Sequence, residues 1–313
     1  MKIIKLDKCF DPKGHRGVAL GNFDGVHLGH QQLLKALIEK SREMNLCPVV
    51  YTFSNHPRQL EGKSRLKEIT GINKKTELFQ EAGVKELILS PFDETMKTME
   101  PEDFVRRIIL GELGCRLVVV GFDYRFGRKA KGDVDLLQKL GKEWGFEVIV
   151  IPPFKLDGEK VSSSLIRRVI EIGEVHELPR YLGRHYSIMG PVIYGKGLGG
   201  SIGYPTANIK IQKHLILPAK GVYVTLSKVE GACHKSITSV GHMPKFNKQS
   251  AQVESFLFNY EGDLYHRSIE TFFIQKLRDQ LTFENPGELR EQIKKDIDQA
   301  KSHLQSIKGM VHC

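Results

Sequence analysis

The first 185 residues alternate short apolar runs with longer amphipathic stretches. The apolar runs lie in RGVALGNF, PVVYTF, KELILSPF, RLVVVGF and FEVIVIPP, and the amphipathic stretch HQQLLKALIEKSREM separates the first two. This alternation is typical of βαβ units, and a run without polar positions, such as LVVV, indicates a strand buried on both faces. The pattern predicts an α/β fold with an open parallel sheet covered by helices, in which ligands bind beyond the carboxyl ends of the strands.

From about residue 186 the apolar segments become shorter and are separated by Gly, Pro or Asn. These segments are IMGPVIYG, GVYVTLSKVEG, KSITSVG and VESFLFNYEGDLY, and they predict an antiparallel β-barrel. A Pro-Gly pair then precedes apolar residues at helical spacing, which predict one closing amphipathic helix; they are Leu289, Ile293, Ile297, Ala300 and Leu304. We expect two domains, residues 1–185 and 186–313.

The composition is that of an ordinary globular protein. The chain has 313 residues, of which 40% are hydrophobic and 27% charged. It contains no apolar run of membrane-spanning length, and its N-terminus has no apolar signal core, so we expect a cytosolic protein without a membrane partner. The five cysteines are scattered and never spaced as CxxC, which predicts plain thiols.

The chain carries a surplus of positive charge. Lys and Arg number 47 against 37 Asp and Glu, a formal net charge of +10, which favours anionic partners. The densest basic cluster is only Arg125, Arg128, Lys129 and Lys131, whereas a nucleic-acid-binding arm has a concentrated basic block. The charge therefore favours a small phosphorylated ligand over nucleic acid.

The first candidate site follows the first apolar run, in GVALGNFDGVHLGH. Backbone N–H groups at the start of a helix bind phosphate, and His27 and His30, three residues apart, can both face one anion. Gly21, Phe23, Asp24 and Gly29 complete the predicted phosphate-binding set. The alternatives are a metal pair, for which no third ligand is obvious, or two incidental surface histidines.

This segment resembles the HxGH nucleotidyltransferase signature of the bacterial bifunctional riboflavin kinase/FAD synthetase family. The resemblance continues in order along nearly the whole chain. YTFSNHPRQL matches the family at Phe53, His56 and Pro57; VVVGFDYRFGRKAKGDVDLL matches at Gly121, Asp123, Phe126, Gly127 and Gly132; and VSSSLIRRVI matches the ISSTxIR motif at Ser162, Ser163, Ser164 and Arg167. The family often has Glu where this chain has Phe122.

The resemblance implies that FMN phosphate attacks ATP in the first domain. His27, His30 and Arg167 would hold the triphosphate, the serines would donate hydroxyl hydrogen bonds, and Mg²⁺ would neutralise pyrophosphate. Phe53, His56, Pro57, Asp123 and Phe126 would bind the flavin. Other interpretations stay open: the serines as a helix N-cap, Arg167 as a solvated helix arginine, Asp24 as a metal or ribose ligand or a turn residue, and Asp123 as a strand end.

A second candidate site lies in GPVIYGKGLGGSIGYPTANI. A glycine-rich loop wraps phosphates or simply forms a flexible hairpin, and this one is no Walker motif because GK[ST] is missing. PTAN resembles the riboflavin kinase signature, which implies that Thr206 and Asn208 bind Mg²⁺ and nucleotide phosphates. The predicted phosphate-binding glycines are Gly195, Gly197 and Gly203.

Two residues of the second half take their predicted roles from the resemblance. Glu254, in VESFLFNY, would be the base that accepts the ribityl hydroxyl proton, although strand alternation alone makes it an outward-facing residue. Arg278 would contact the flavin. Departures from the family pattern are Ser239 for Asn, Met243 for Arg, Lys245 for Thr and His266 for Gly, and Leu198 and Gly200 stand where arginines are common.

We therefore predict a bifunctional transferase that forms FMN from riboflavin and FAD from FMN, with ATP as co-substrate. The departures motivate an alternative in which only FAD synthesis remains. A third hypothesis is a flavin-responsive RNA-binding protein. The sequence argues against it, because it contains no RNA-stacking motifs. The sequence does not decide the oligomeric state.

Overall fold

A computed structural model of the chain describes residues 1–5, 15–55, 67–195, 198–201, 203–242 and 251–307. Contacts divide the chain into two compact units, Met1–Ser163 and Ser164–Cys313. The functional boundary near residue 185 stays a prediction. Among the described residues, no helix combines the length and apolar composition needed to cross a membrane.

The first unit is built on a six-stranded sheet in which all neighbouring strands are parallel, in the order β1-β4-β3-β2-β5-β6. The strands are β1 (Lys2–Lys5), β2 (Arg16–Leu20), β3 (Cys47–Phe53), β4 (Glu86–Ser90), β5 (Cys115–Gly121) and β6 (Glu147–Ile151). The helices are α1 (Leu28–Glu43), α2 (Ile72–Glu81), α3 (Glu94–Thr98), α4 (Pro101–Asp103), which runs into a π-helix (Phe104–Glu112), and α5 (Val134–Trp144). A two-stranded hairpin, β7 (Lys155–Leu156) and β8 (Glu159–Lys160), follows. The predicted helix-covered parallel sheet is confirmed.

The strand order places a ligand crevice at one point of this sheet. The chain moves from β2 to β3 and β4 on one side, and β5 and β6 lie on the other side. Val18 faces a cluster with the π-helix and α5, whereas Ala19 faces a cluster with α1, so both faces of β2 are buried. Ligands of open α/β sheets bind where the strand order reverses, here at the carboxyl ends of β2 and β5.

The second unit contains a closed six-stranded barrel in the order β10-β13-β12-β11-β14-β9, with antiparallel neighbours. Its elements are α6 (Ser163–Ile172), α7 (Leu178–Leu182), β9 (Tyr186–Ile193), α8 (Leu198–Ser201), β10 (Ala207–Ile209), β11 (Gly221–Val229), β12 (Ala232–His242), β13 (Ala251–Leu257), β14 (Ser268–Arg278) and α9 (Pro286–Ser306). The predicted barrel and its closing helix are confirmed.

The closing helix α9 packs against the outside of the barrel. Its residues Ile297, Ala300 and Leu304 join a buried cluster with Val224 and Ile274. The helix begins cleanly because the Asn285 side chain accepts a hydrogen bond from the backbone N–H of Glu288 at 3.0 Å. These contacts fix α9 along β11, β12 and β14.

The inside of the barrel is partly polar. Five fully buried hydroxyls form a continuous chain across β11, β12 and β13, with oxygen separations of 2.8–2.9 Å; in order they are Ser227, Ser236, Thr225, Thr238 and Ser255. Each hydroxyl has a partner, so the polar groups carry no uncompensated desolvation cost.

The cysteines divide into two groups. Cys47 and Cys115 are free thiols, and burial raises the pKa of Cys115 to about 12. Cys233 is disulfide-bonded, so the prediction of plain thiols is wrong at this position. Spacing along the chain does not reveal which cysteines meet in space.

Candidate functional site

The loop between β2 and α1 has an unusual backbone. Phe23 and Val26 have φ angles of 48° and 41°, and Gly25 has 88°. Left-handed conformations are rare for branched or bulky residues and persist only where surrounding contacts hold them. Strain of this kind is common at ligand-binding sites.

Asp24 supplies contacts that hold this loop. Its side chain is buried, and Oδ1 accepts hydrogen bonds from the backbone N–H groups of Ile69 at 2.9 Å and Thr70 at 3.3 Å. The Asp24 carbonyl oxygen accepts a hydrogen bond from Ser163 Oγ at 2.8 Å. Of the interpretations left open by the sequence, these contacts match a turn residue that anchors the loop.

The two histidines lie together at the N-terminus of α1. His27 is the N-cap, and its Nδ1 accepts a hydrogen bond from the His30 backbone N–H at 3.4 Å. Their rings stack with centroids 3.7 Å apart. A Cβ on Gly29 would lie 3.2 Å from the His27 ring, so the glycine leaves room for this ring. The free N–H groups and positive dipole end of α1 attract an anion to this position.

His30 is a neutral group with one unused nitrogen. Its Nδ1 is buried and has no hydrogen-bond partner within the described part of the chain. Burial, the neighbouring His27 and the positive charge of Lys75 lower the pKa of His30 well below its ordinary value. Phe23 packs on its ring with centroids 5.3 Å apart. The imidazole is therefore uncharged at neutral pH, and no described residue uses the hydrogen-bonding capacity of its Nδ1.

Lys75 of α2 is a component that sequence reasoning missed. Its side chain is 8% exposed, and Nζ donates a hydrogen bond to the carbonyl oxygen of Asn22 at 3.3 Å. No motif singles out this lysine, because only the tertiary structure brings α2 against the loop after β2.

Aromatic side chains cluster at the carboxyl ends of β3 and β5. Phe53 packs edge-on against Tyr51 and Phe92, and Phe126 stacks on Tyr124 with centroids 5.8 Å apart. Phe53 and Phe126 thus lie at the edge where the sheet topology places a ligand. His56 and Pro57 lie outside the described residues.

Asp123, predicted to contact the flavin, has a protein partner at this edge. Its carboxylate lies 2.7 Å from Nζ of Lys160, which also sits 4.3 Å from the centroid of the Phe122 ring. Both charged side chains are partly exposed, so solvent weakens the pair and leaves the carboxylate accessible. These contacts tie the turn after β5 to β8.

The serine and arginine motif begins α6. Ser162 precedes the helix, Ser163 is its first residue, and Ser164 and Arg167 belong to the second unit. Because Ser164 and Arg167 are three residues apart on α6, they share one helix face. The opposite face of α6 is buried through Leu165, Ile166, Val169 and Ile170.

The second site brings together the predicted residues Thr206, Asn208 and Glu254. Asn208 of β10 pairs in register with Glu254 of β13, which pairs with Ser239 of β12. Thr206 Oγ1 donates a hydrogen bond to Glu254 Oε2 at 3.4 Å. The Gln252 amide donates to Asn208 Oδ1 at 3.0 Å and to Glu254 Oε1. Sequence reasoning missed Gln252, although its position two residues before Glu254 places it on the same strand face.

The glycine loop passes directly against this constellation. A Cβ on Gly195 would lie 2.1 Å from Asn208 Nδ2, and a Cβ on Gly199 would lie 2.3 Å from the Tyr204 carbonyl oxygen. Gly203 has a φ of 87°, which favours glycine. Gly197 lies outside the described residues. The described part of the loop thus needs glycine for close approach and for turning.

Two exposed tyrosines form a flat surface beside Gly195. The rings of Tyr194 and Tyr265 stack with centroids 4.0 Å apart, and they are 69% and 40% exposed. His266 lies edge-on to Tyr194 and has a φ of 64°. The left-handed backbone explains why the family pattern has glycine at this position, and histidine is among the residues that tolerate it.

Arg278, predicted to contact flavin, is engaged elsewhere. Its Nε and Nη2 donate hydrogen bonds to the Asp296 carboxylate at 2.9 Å and 2.6 Å, and Asp296 is 1% exposed on α9. This pair ties α9 to the end of β14. Among the departures from the family pattern in the second half, Ser239 lies beside Glu254 and His266 beside Tyr194, whereas Met243 and Lys245 lie outside the described residues.

The second site offers oxygen donors rather than nitrogen or sulfur ligands. Among the described residues, no cluster of three His, Cys, Asp or Glu side chains forms a protein-only metal site. The Thr206 hydroxyl, the Asn208 amide oxygen and the Glu254 carboxylate are oxygen donors, the type that Mg²⁺ prefers. Mg²⁺ binds commonly through few protein oxygens plus substrate phosphates, so this donor set fits.

Two family models match the chain. The one described as FAD synthetase matches residues 11–165, and the one described as riboflavin kinase matches residues 182–304. Together they cover most of both units.

Relatives match over nearly the full length. A bifunctional riboflavin kinase/FMN adenylyltransferase of Buchnera aphidicola subsp. Schizaphis graminum is 34% identical over 98% of this chain and 100% of its own. The protein of that name from Haemophilus influenzae is 32% identical over 92% and 94%. A Streptococcus pneumoniae crystal structure titled macrolide-efflux protein is 28% identical, with a TM-score of 0.88 over 96% of this chain and 99% of that chain. That title describes the other protein, and the superposition shows the shared fold.

Proposed function

Because the chain belongs to the bifunctional riboflavin kinase/FMN adenylyltransferase family, we propose how its own residues divide the two reactions. The first phosphorylates riboflavin with ATP to give FMN and ADP. The second transfers the adenylyl group of ATP to FMN to give FAD and pyrophosphate. We assign the kinase to the barrel and the adenylyltransferase to the parallel-sheet unit.

The stacked histidine pair carries the adenylyltransferase assignment. In this reaction an oxygen of the FMN phosphate attacks the α-phosphorus of ATP, and the bond to the β-phosphate oxygen breaks. The protein supplies no nucleophile and acts by binding and by stabilising charge. His27 and His30 hold the triphosphate at the N-terminus of α1, where backbone N–H groups also donate to it. Gly21 and Gly29 let the phosphates approach the backbone.

Other residues of this unit position the loop and the substrates. Phe23 orients His30 through ring packing, and Asp24 with Ser163 holds the strained loop in place. Ser162 adds a donor to the phosphates, and the family resemblance implies the same role for Ser164 and Arg167 of α6. Phe53, Phe126 and Asp123 contact the flavin at the carboxyl edge of the sheet, and the resemblance implies a flavin-binding role for His56 and Pro57.

The Thr206, Asn208, Glu254 and Gln252 constellation carries the kinase assignment. Glu254 accepts the proton of the ribityl 5′-hydroxyl. The hydroxyl oxygen attacks the γ-phosphorus of ATP, and ADP leaves. Gln252 and Thr206 hold this carboxylate in place. Thr206 and Asn208 would hold Mg²⁺ together with the phosphates, and the ion would neutralise charge on ATP. Gly195 and Gly203 let the loop wrap the phosphates, and the resemblance implies the same for Gly197.

Ser239 favours a second candidate function in which the kinase is weak or lost. It lies beside Glu254 in register, and a serine hydroxyl replaces an amide with two donors and an acceptor. A water molecule bridging Ser239 to the substrate would retain the interaction.

A product assay tests the proposal. The full chain is incubated with riboflavin, ATP and Mg²⁺, and in parallel with FMN, ATP and Mg²⁺, and the flavins are resolved by chromatography. We expect FMN and FAD from the first mixture and FAD from the second. FAD from FMN without any product from riboflavin would support the second candidate, and no FAD from FMN would refute the adenylyltransferase assignment.

A further inference from the structure

Lys75 is a buried cation with incomplete compensation. Lysine is almost never buried to 8% exposure unless it is paired. The Glu68 carboxylate lies 4.0 Å from Nζ, beyond hydrogen-bond distance. Among the described residues, its hydrogen bond goes to the Asn22 carbonyl oxygen at 3.3 Å. An ammonium has three donors, so this cation retains donors for another acceptor.

The Asn22 contact places Lys75 against the loop that ends at the histidine pair. Asn22 lies between Gly21 and Phe23, and the Phe23 ring packs on His30. The positive charge of Lys75 reaches His30, since it contributes to the lowered pKa of that imidazole. Lys75 and His27 thus disfavour a positive charge on His30, and an anion bound beside them would be attracted by the Lys75 ammonium.

Three groups that favour an anion therefore lie around the loop after β2, and no carboxylate of the described residues is within hydrogen-bond distance of Lys75. They are the Lys75 ammonium, the buried and unpartnered Nδ1 of His30, and the N-terminus of α1. The buried carboxylate of the loop, Asp24, is already bonded to backbone N–H groups of Ile69 and Thr70. The arrangement therefore favours the binding of an anion from outside the protein.

We propose that Lys75 binds the triphosphate of ATP and stabilises the negative charge that passes to pyrophosphate. This inference rests on the proposed adenylyltransferase function. As the FMN phosphate oxygen bonds to the α-phosphorus, the electron pair of the breaking bond goes to pyrophosphate. Lys75 stays an ammonium throughout and transfers no proton. It keeps its bond to Asn22 and donates its remaining hydrogens to phosphate oxygens.

Calorimetric titration of the full chain with inorganic pyrophosphate tests this role. Lys75→Met removes the charge with little change in length, and we expect pyrophosphate affinity to fall by about tenfold to a hundredfold. Lys75→Arg keeps a cation and restores part of the affinity. Lys35→Met is the matched control, because Lys35 lies on α1 with a side chain 74% exposed, and it should stay within about twofold of the wild type.

Kinetics and stability separate binding from a structural role. In Lys75→Met we expect a higher KM for ATP and a lower kcat in FAD formation, an unchanged KM for FMN, and unchanged phosphorylation of riboflavin. A merely structural lysine would lower the thermal midpoint and leave pyrophosphate affinity intact. Glu68→Gln removes the neighbouring carboxylate and should not weaken pyrophosphate binding. If Lys75→Met does not fold, Lys75→Gln is titrated in its place.

The outcomes distinguish this inference from the proposed function. If the wild type forms no FAD from FMN and ATP, the proposed function fails, and the pyrophosphate titration still decides whether Lys75 binds phosphates. The inference is overturned if Lys75→Met binds pyrophosphate within twofold of the wild type. It is also overturned if Lys35→Met loses as much affinity as Lys75→Met.

Discussion

The Arg278–Asp296 pair gives a direct test of what Arg278 does. Arg278→Met removes the guanidinium and leaves Asp296, 1% exposed, without its main partner. Three N–H···O contacts of 2.6–3.2 Å are lost, and among the described residues the Gln292 amide, at 2.9 Å, is the donor that remains to this carboxylate. Removing one partner of a buried ion pair costs about 3–5 kcal/mol of unfolding free energy.

The matched controls isolate the buried charge. Arg267→Met breaks an exposed 2.7 Å pair with Glu230, which should cost about 1 kcal/mol or less. The double change Arg278→Met with Asp296→Leu removes both charges and should recover most of the loss.

Differential scanning calorimetry of the full chain measures the loss. A cost of about 3–5 kcal/mol lowers the midpoint of the barrel unit by roughly 6–20 °C for a unit of this size. The KM for riboflavin is measured below that midpoint and should stay close to the wild-type value. If Arg278→Met melts like Arg267→Met while the riboflavin KM rises strongly, Arg278 contacts flavin and the reasoning is refuted.

Three further predictions concern stability. Thr225→Val removes the middle hydroxyl of the buried chain, bonded to Ser236 and Thr238, and should cost about 1–3 kcal/mol in urea unfolding; a neutral result contradicts it. His266→Gly relieves a φ of 64° and should raise the free energy of unfolding by about 0.5–1 kcal/mol, which an unchanged or lower thermal midpoint would exclude. Because the pKa of His30 is lowered in the folded protein, the unfolded chain binds more protons between that pKa and about 6.5, and the free energy of unfolding falls as the pH drops through this window. His30→Gln should therefore flatten the dependence of the urea unfolding midpoint on pH. An identical slope in the wild type and the variant would rule this out.

The architecture was largely predictable because hydrophobic patterning reports burial on each strand. Uninterrupted runs such as the one in β5 marked the parallel sheet, and short segments with turn residues marked the barrel. Strand order was not predictable, since β1 pairs with β4 across a gap of about 80 residues. The π-helix was also not predictable, because the spacing of apolar residues does not distinguish a π-helix from an α-helix.

The sites were predictable where local sequence fixes local geometry. His27 and His30 lie together because a spacing of three positions at the N-terminus of α1 places both side chains on one face. Asn208 lies opposite Glu254 because the two residues pair in register on neighbouring strands. Lys75 and Gln252 belong to no motif and join the sites only through tertiary contacts. At Arg278 the motif identified a residue without revealing its partner 18 positions later.

The central claim is that two independent sites on one chain perform the two reactions. The most direct test measures riboflavin-to-FMN and FMN-to-FAD rates for the wild type, His30→Ala and Glu254→Ala, with folding verified by circular dichroism. We expect His30→Ala to lower FAD formation by about 10²–10³-fold and leave FMN formation intact, and Glu254→Ala to lower FMN formation by about 10²–10⁴-fold and leave FAD formation from FMN intact. Equal loss of both reactions in both folded variants would contradict the account.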